Sequence, residues 1–341
     1  MTVLHYFAGA NTAQGFYSHY DYLAQDNYRR VFILKGGPGT GKSTVLKRIV
    51  SQFQPHQDVD LFHCSADVDS LDGIYLPKQD VSALDGTAPH TIDPHLPGVV
   101  QEIIDMGSCW DGAGLRRSKK EIQELKREIS NQYKSAYTWL AIAAHLVELD
   151  QHTPTPSLKK QAKTDAGQII KLLPDTGRGH SRKAFASAIT ERGLVNYLPS
   201  LQKHSACSIS LTGRNRIYNA TVLNLIQETL VERRVPATYL YCGLQPQYLE
   251  HIFIPGVFAL FSSHWPHQIS GSDYQFGPLP PAQTELTEQQ SWAMNEGVKE
   301  LAQARSLHLD MEKLYIPHVN YHKVNLRQKE IIAAIKAEKT R

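Results

Sequence analysis

The chain has 341 residues, 41% of them hydrophobic and 20% charged, which is an ordinary globular composition long enough for two domains. The formal net charge of +3 gives no support for a nucleic-acid-binding surface across the whole molecule. No apolar run approaches the roughly 18 residues of a membrane span, and no secretory signal is evident. We therefore expect no membrane partner. The four cysteines are too scattered for a disulfide framework or a paired-cysteine metal site, which fits a reducing cytosol, so the expected location is cytoplasmic.

The most specific pattern in the first half lies between a predicted strand and a predicted helix. Residues 31–34 are apolar and predict a buried strand, and residues 44–53 have the periodicity of a helix. The intervening stretch, which we call the glycine-rich loop, consists of Gly36, Gly37, Pro38, Gly39, Thr40, Gly41, Lys42, Ser43 and Thr44. It has the form G-x-x-x-x-G-K-[ST], in which backbone N–H groups surround a bound phosphate.

The glycine-rich loop predicts a site for ATP and Mg²⁺. Glycines allow positive φ and a close approach of the backbone to phosphate. Lys42 is expected to reach the β- and γ-phosphates, the Ser43 hydroxyl to bind Mg²⁺, and the following helix to present its positive end. The alternative, a glycine-rich turn that binds nothing, is disfavoured by the flanking strand and helix. The absence of an N-K-x-D-type tetrapeptide for guanine favours ATP over GTP.

Further strands are predicted at residues 59–64 and 81–85, and their alternation with helical segments predicts a parallel sheet. Ligands of such sheets bind at the carboxyl ends of the strands. Asp85 ends its strand where an acid that holds Mg²⁺ is expected, although an Asp that starts a tight turn is the alternative. Gly86 follows Asp85 in place of the glutamate that usually activates water. We therefore expect phosphoryl transfer to another acceptor or slow hydrolysis, and not rapid hydrolysis.

Three acids crowd a predicted loop close to the phosphate. They are Asp67, Asp69 and Asp72, and we expect Asp67 or Asp69 to act as a general base, to bind an acceptor or to lie around Mg²⁺. The alternative is that they only cap and solvate the loop. His90 is expected to have a structural role beside Pro89, because a histidine recurs at the matching position of the second half.

The second half of the sequence repeats the first. Residues 185–193 match residues 7–15 at an offset of 178, and matches in the same order continue over about 80 positions, which predicts duplication of one unit. Seven aligned pairs differ where the chemistry is expected: Gly39 and Arg216, Gly41 and Tyr218, Lys42 and Asn219, Ser43 and Ala220, Asp67 and Gln245, Asp69 and Gln247, and Asp85 and Phe261. The first half is therefore expected to hold the one intact nucleotide site.

Each half is followed by a helical segment. Residues 115–149 predict one long helix or a kinked pair, and residues 285–339 are predicted to be mainly helical with an interruption at Ile316 and Pro317. Charges of both signs alternate along the first segment, which is typical of a solvated face, so a nucleic-acid partner is not favoured. The expected domains are a nucleotide-binding lobe at 1–112, a helical extension and linker at 113–180, a degenerate lobe at 181–282 and a C-terminal helical extension at 283–341.

Several segments together resemble a known family. They are residues 5–9 (HYFAG), the glycine-rich loop, residues 63–65 (HCS), 84–90 (LDGTAPH) and 186–190 (ASAIT), and they resemble a bacterial family of tandem P-loop proteins that are labelled ATPase or nucleotide kinase-like. The resemblance covers nearly the whole chain and implies an α/β fold of two tandem P-loop NTPase-like lobes with parallel sheets. Family members can carry a glycine-lysine loop in the second half too, and this chain departs from them there.

The leading functional prediction is an ATP-binding P-loop NTPase that hydrolyses ATP or transfers its γ-phosphoryl group to an acceptor. The alternative is a regulatory module with little turnover, in which the nucleotide orients the lobes for a protein or nucleic-acid partner. If the lobes form an intramolecular pseudo-dimer with loop facing loop, Arg214 or Arg216 is expected to stabilise charge on the γ-phosphate.

Overall fold

The computed structural model describes an α/β fold. The described residues are 1–149, 155–176, 179–212, 215–262, 272–277 and 287–338. Arg214, residues 152–154 of the predicted linker and the proline-rich residues 278–281 lie outside this set.

Strands and helices alternate in both halves. The first half contains β1 (Val3–Phe7), β2 (Gly9–Thr12), β3 (Gly15–Ser18), β4 (Arg30–Lys35), α1 (Lys42–Phe53), β5 (Val59–His63), β6 (Leu71–Leu76), β7 (Val81–Asp85), β8 (Gln101–Asp105), α2 (Gly112–Leu115) and α3 (Lys119–Leu149). The rest of the chain contains α4 (Pro156–Ile170), β9 (Arg182–Phe185), β10 (Ser187–Thr190), β11 (Gly193–Asn196), α5 (Leu198–Lys203), β12 (Cys207–Leu211), α6 (Arg216–Glu232), β13 (Thr238–Tyr241), β14 (Leu249–Ile254), β15 (Phe258–Ser262), β16 (Tyr274–Phe276), α7 (Glu288–Tyr315) and α8 (Tyr321–Ala337). The long helix predicted in the first extension and the interruption between two C-terminal helices are confirmed.

Twelve of the described strands form one sheet, in the order β16-β12-β15-β14-β13-β9-β1-β5-β6-β7-β4-β8. From the β9–β1 junction outwards, the strands of the first half follow in the order β1, β5, β6, β7, β4 and β8. The strands of the second half follow in the corresponding order β9, β13, β14, β15, β12 and β16. Phe7 pairs with Phe185 at this junction, and Asn11 pairs with Ile189 in a smaller sheet of β11, β10, β2 and β3. Asn11 and Ile189 are 178 residues apart, as are Phe7 and Phe185, so each residue meets its own repeat partner across an approximate two-fold axis.

The sheet is mixed rather than purely parallel, which corrects the sequence-based expectation. β6 runs antiparallel to both β5 and β7, and β14 does the same between β13 and β15. Only residues 64–70 connect β5 to β6, and so short a connection permits a hairpin but not a parallel crossover. Asp72 lies in β6 and is buried, so its expected place in a loop is wrong.

Strand β4 and helix α1 form as their residue patterns predict. β4 is apolar and buried at four successive positions, as a central strand covered on both faces must be. α1 buries a stripe made of Val45, Leu46, Ile49 and Phe53. This stripe anchors the helix on the sheet, and the start of the helix is thereby fixed next to the carboxyl end of β4.

The last helix of each extension packs against the other half of the chain. Helix α8, which follows the second half, packs on the first half, and α4, which follows the first half, packs on the second. α8 contributes Val324, Ile331 and Ile335 to the same apolar core as the α1 stripe in the first half. α4, from the first extension, contributes Ala162, Ala166 and Ile169 to the core around α6 in the second half. Each half of the large sheet is therefore covered in part by a helix from the extension of the other half.

Helices α3 and α7 pack antiparallel between the two halves. Gln290 near the start of α7 donates to the Leu146 carbonyl near the end of α3, and further along Gly297 meets Leu140. A Cβ at Gly297 would lie 2.9 Å from Leu140 Cδ2, so glycine allows the two helices to approach closely. None of the described helices combines the length and apolar character that crossing a membrane requires.

Candidate functional site

The glycine-rich loop joins the carboxyl end of β4 to the first turn of α1. Gly39 and Gly41 have φ values of 69° and 81°, in the left-handed region that glycine adopts without a Cβ clash. Gly41 is the residue before the helix and provides no side-chain cap, so the first N–H groups of α1 face the loop without a side-chain acceptor at that position. This combination of left-handed glycines and a helix N-terminus is suited to binding an anion.

Lys42 folds back across the loop. Its Nζ donates to the carbonyls of Gly36 and Gly37, the latter at 2.9 Å, and lies 3.4 Å from Asp85 Oδ2. The Lys42 and Asp85 side chains are only 11% and 14% exposed. The structure thus brings together two of the predicted site residues, which come from different elements.

Thr87 ties the turn after β7 to the glycine-rich loop. Its hydroxyl donates to the Gly36 carbonyl at 2.9 Å and lies 3.2 Å from the Gly36 N–H, while its own N–H donates to Asp85 Oδ1 at 2.8 Å. Asp85 therefore also starts a tight turn, as the alternative interpretation predicted. Its Oδ1 accepts the hydrogen bond of the turn, and its Oδ2 faces Lys42. Sequence reasoning missed Thr87, although its place two residues after Asp85 was a usable signal.

Two hydroxyls of the loop also have defined partners. Ser43 Oγ accepts a hydrogen bond from the Leu71 N–H at 2.9 Å, which links the first turn of α1 to the start of β6. Thr40 Oγ1 donates to the Gly37 carbonyl at 2.9 Å and stabilises the loop from within. Pro38 lies within the loop, and Thr44 is exposed in the first turn of α1.

A cluster of buried ionisable groups lies beside Asp85. One ligand atom each from Asp72, Asp85 and His90 lies within 4.8 Å of the others. The Tyr20 hydroxyl donates to Asp72 Oδ2 at 2.6 Å, and the Tyr20 ring stacks on His90 with centroids 4.4 Å apart. Burial raises the pKa of Asp72, and the charge of Asp85 adds to this, whereas His90 and Tyr20 act in the opposite direction.

These oxygen donors fit a hard divalent cation. Ser43, Asp72 and Asp85 offer a hydroxyl and two carboxylates, which is the donor chemistry that Mg²⁺ prefers. Asp72 and Asp85 are like charges close together in a buried setting, and a cation between them would relieve their repulsion. Sequence reasoning favoured Asp67 and Asp69 over Asp72, yet Asp72 is the acid that the structure places next to Asp85.

Asp67 and Asp69 instead meet arginines from the second half of the chain. Asp67 Oδ2 accepts hydrogen bonds from Ser70 Oγ and from Arg305 Nη2, both at 2.7 Å. Asp69 is largely exposed and forms an ion pair with Arg192 in the turn between β10 and β11. The structure therefore pairs the two predicted catalytic acids with arginines of the second half, and the acid that it places next to Asp85 is Asp72.

The C-terminal helices cover one side of the glycine-rich loop. A Cβ at Gly39 would lie 3.1 Å from Ile316 Cγ1 and 3.6 Å from the Glu312 carbonyl oxygen. A Cβ at Gly37 would lie 2.7 Å from Trp110 Cη2, and the Trp110 ring packs on Tyr315 with centroids 5.2 Å apart. Sequence reasoning missed this cover, because nothing in the pattern of α7 indicates which half it contacts.

The matching position of the second half contains a cavity of about 280 Å³. Its lining includes Arg216, Asn219, Cys242, Tyr248 and Glu250. Arg216 lies over the Tyr248 ring, 4.0 Å from its centroid, and its guanidinium pairs with Gln245 and Glu148.

The position of Arg216 contradicts the hypothesis that it reaches the γ-phosphate. β12, which precedes α6, is nine strand spacings from β4 in the sheet order, which is on the order of 40 Å along the sheet. Helices α1 and α6 begin far apart, because the halves meet through β1 and β9 rather than through the strands β4 and β12 that precede these helices.

No family model, curated protein or solved structure matches the chain in the three comparisons made. The functional interpretation therefore depends on the residues and their geometry.

Proposed function

We propose that this chain is an ATP-binding P-loop NTPase with one intact nucleotide site, which hydrolyses ATP or transfers its γ-phosphoryl group to an acceptor. One observation carries the proposal: Lys42 and Asp85 converge at 3.4 Å beside a loop of left-handed glycines at the start of α1. A lysine, a strand-end acid and a helix N-terminus around one loop are the parts that bind and polarise a nucleoside triphosphate.

Each residue of the site has a role in this proposal. The loop N–H groups cradle the β-phosphate, and Lys42 exchanges its bonds to Gly36 and Gly37 for bonds to the β- and γ-phosphates. Ser43 and Asp85 hold Mg²⁺, which when bound neutralises charge on the phosphates. Thr87 keeps Asp85 oriented through its N–H.

The two halves are, in this proposal, tandem P-loop-type domains of which the second is degenerate. The equal order of corresponding strands about the β9–β1 junction supports a common unit. Asn219 stands in the second half where Lys42 stands in the first, and Phe261 where Asp85 stands, so the second half lacks the cation and the acid that the reaction needs.

The experiment is calorimetric titration with Mg–ATP together with measurement of phosphate release. Lys42→Ala is expected to lower the affinity about 10- to 100-fold, since charge-assisted hydrogen bonds to phosphate are lost. Lys47→Ala, an exposed lysine on the same helix, is the matched control and should behave like the wild type. Unchanged affinity and turnover in Lys42→Ala would overturn the proposal.

A regulatory module with little turnover is the second candidate function, and two observations favour it. Gly86 follows Asp85, so no adjacent glutamate is available to activate water, and the C-terminal helices lie directly on the loop. Incubation with and without candidate nucleosides separates the two functions. A kinase phosphorylates its acceptor stoichiometrically, whereas a switch binds Mg–ATP with slow turnover and changes shape.

A further inference from the structure

Arg305 of α7 reaches the nucleotide side of the first half. Its Nη2 donates to Asp67 Oδ2 at 2.7 Å, and its Nη1 lies 4.0 Å from Glu312 Oε1. The Arg305 side chain is only 20% exposed. Held by two carboxylates, this guanidinium has a fixed place beside the site rather than an open solvent position.

Two separate connections place Arg305 near the glycine-rich loop. The Asp67 turn leads into Leu71, whose N–H donates to Ser43 Oγ, so the segment that holds Arg305 is hydrogen-bonded to the first turn of α1. On the other side, the backbone of Glu312 lies on Gly39, with its carbonyl oxygen 3.6 Å from the position of a Cβ there. Arg305 therefore pairs with two acids that belong to segments in contact with the glycine-rich loop.

The charges around Glu312 agree with this placement. The hydrogen bond from His308 is the main cause that lowers the pKa of Glu312, and the charges of Arg305 and Lys42 both lower it further. Glu312 therefore lies within the electrostatic reach of both cations. The shared influence on Glu312 supports a place for Arg305 on the side of the glycine-rich loop where Lys42 lies.

We infer that Arg305 is a catalytic residue that stabilises the γ-phosphoryl group in the transition state, supplied in cis by the extension of the second half. This inference rests on the proposed function. In the reaction the bond between the γ-phosphorus and the β–γ bridging oxygen breaks, and the oxygen of water or of an acceptor hydroxyl forms the new bond to phosphorus. The bridging oxygen leaves with the electron pair on ADP, and the proton of the attacking hydroxyl passes to solvent.

The role of Arg305 in that step is electrostatic. Negative charge spreads over the transferring oxygens and the leaving oxygen, and a guanidinium binds such oxygens through paired N–H groups while keeping its own protons. Asp67 is then a positioning residue, because it holds the guanidinium beside the loop. In this inference the second half also has a function, because α7 from its extension supplies Arg305 to the site of the first half.

Other arginines serve as internal comparisons. Arg192 also pairs with an acid of this turn, Asp69, but the Arg192 side chain is 54% exposed and its partner 69%. Arg216 lies in the second-half cavity, nine strand spacings away from β4. Arg192→Ala is therefore the matched control for Arg305→Ala, because each substitution removes one arginine–aspartate pair from the same turn.

The test is single-turnover hydrolysis combined with binding of Mg–ADP and of Mg–ADP–aluminium fluoride, a mimic of the transferring phosphoryl group. Arg305→Ala is expected to slow hydrolysis on the order of 10³-fold and to abolish the preference for the aluminium fluoride complex, with Mg–ADP affinity unchanged. Arg305→Lys, which keeps the charge and most of the volume, should recover part of the rate, and Arg192→Ala should match the wild type.

The outcomes separate this inference from the proposed function. If the wild type binds Mg–ATP and turns it over but Arg305→Ala and Arg305→Lys retain its rate and its aluminium fluoride complex, Arg305 is only a structural ion pair and the inference is overturned. If the wild type does not bind Mg–ATP, the proposed function itself fails. If the thermal melt shows that Arg305→Ala does not fold, the hydrolysis rate and the aluminium fluoride complex of Arg305→Lys provide the test instead.

Discussion

Phe7 of β1 and Phe185 of β9 pair with each other, and both side chains are completely buried. A residue that meets its own repeat partner must lie close to the axis that relates the two copies. Because the half-sheets join at this edge, the loop-bearing strands β4 and β12 lie far apart, and neither half can complete the site of the other through its loop. The long helices connect the halves instead: α7 brings Arg305 to Asp67, and α3 brings Glu148 to Arg216.

Substitution at Gly41 is expected to weaken nucleotide binding beyond its effect on folding. Gly41 has φ 81°, where a Cβ costs roughly 1–2 kcal/mol, although the space around it is adequate, with Val324 Cγ1 at 3.7 Å. Gly41→Ala should therefore relax the loop and lower Mg–ATP affinity in calorimetry. Gly98→Ala is the matched control, because Gly98 has φ 75° and open space but lies outside the loop. Equal affinities in the two variants would contradict the prediction.

Local patterns predicted the loop, its strand and its helix, because each depends on residues adjacent in the chain. The antiparallel course of β6 could not be predicted in the same way. Asp72 looked like one of three loop acids, and only the pairing of β6 with both neighbouring strands shows it as a buried group. The contact between Arg305 and Asp67 spans 238 residues, and no periodicity in α7 encodes which half it will meet.

The core of the first half is expected to depend on a helix from the far end of the chain. Ile331 of α8 is 1% exposed and packs in the core with the α1 stripe. Ile331→Ala should lower the free energy of unfolding by about 2–5 kcal/mol, through lost burial and a residual cavity. Leu326→Ala on the same helix is the control: the Leu326 side chain is 45% exposed, so its loss should change stability by less than about 0.5 kcal/mol. Urea denaturation measures both, and similar values for the two variants would show that α8 is not part of that core.

Glu250 is expected to make stability fall as the pH rises. Burial raises the pKa of Glu250 from 4.5 to about 7, against the opposing effect of Arg216. Because the pKa is higher in the folded state than in the unfolded state, the free energy of unfolding is larger at low pH, where the acid is protonated in both states, than at high pH. That contribution is present below about pH 4.5 and is lost as the pH rises to about 7 and beyond, amounting to a few kcal/mol.

Glu250→Gln provides the measurement for this pH dependence. The amide has the shape of the protonated acid and does not titrate, so the variant should gain stability relative to the wild type between pH 5 and pH 8. The comparison uses urea denaturation of both proteins at the two pH values, so that shared titrating groups cancel. Glu232→Gln, at the exposed end of α6, is the control. A difference between wild type and Glu250→Gln that is the same at both pH values would refute the assignment.

Trp110 is expected to report nucleotide binding through its fluorescence. Its Cη2 lies 2.7 Å from the position of a Cβ at Gly37, and its ring packs on Tyr315 from the C-terminal cover. Movement of Lys42 away from the Gly37 carbonyl on binding phosphate should alter the surroundings of this ring, and the emission should shift as Mg–ATP is added. Trp110→Phe should remove the change. Trp292→Phe should retain it, since Trp292 is 54% exposed and packs on Trp139 between α3 and α7. A signal that persists in Trp110→Phe would place the binding-linked change elsewhere in the molecule.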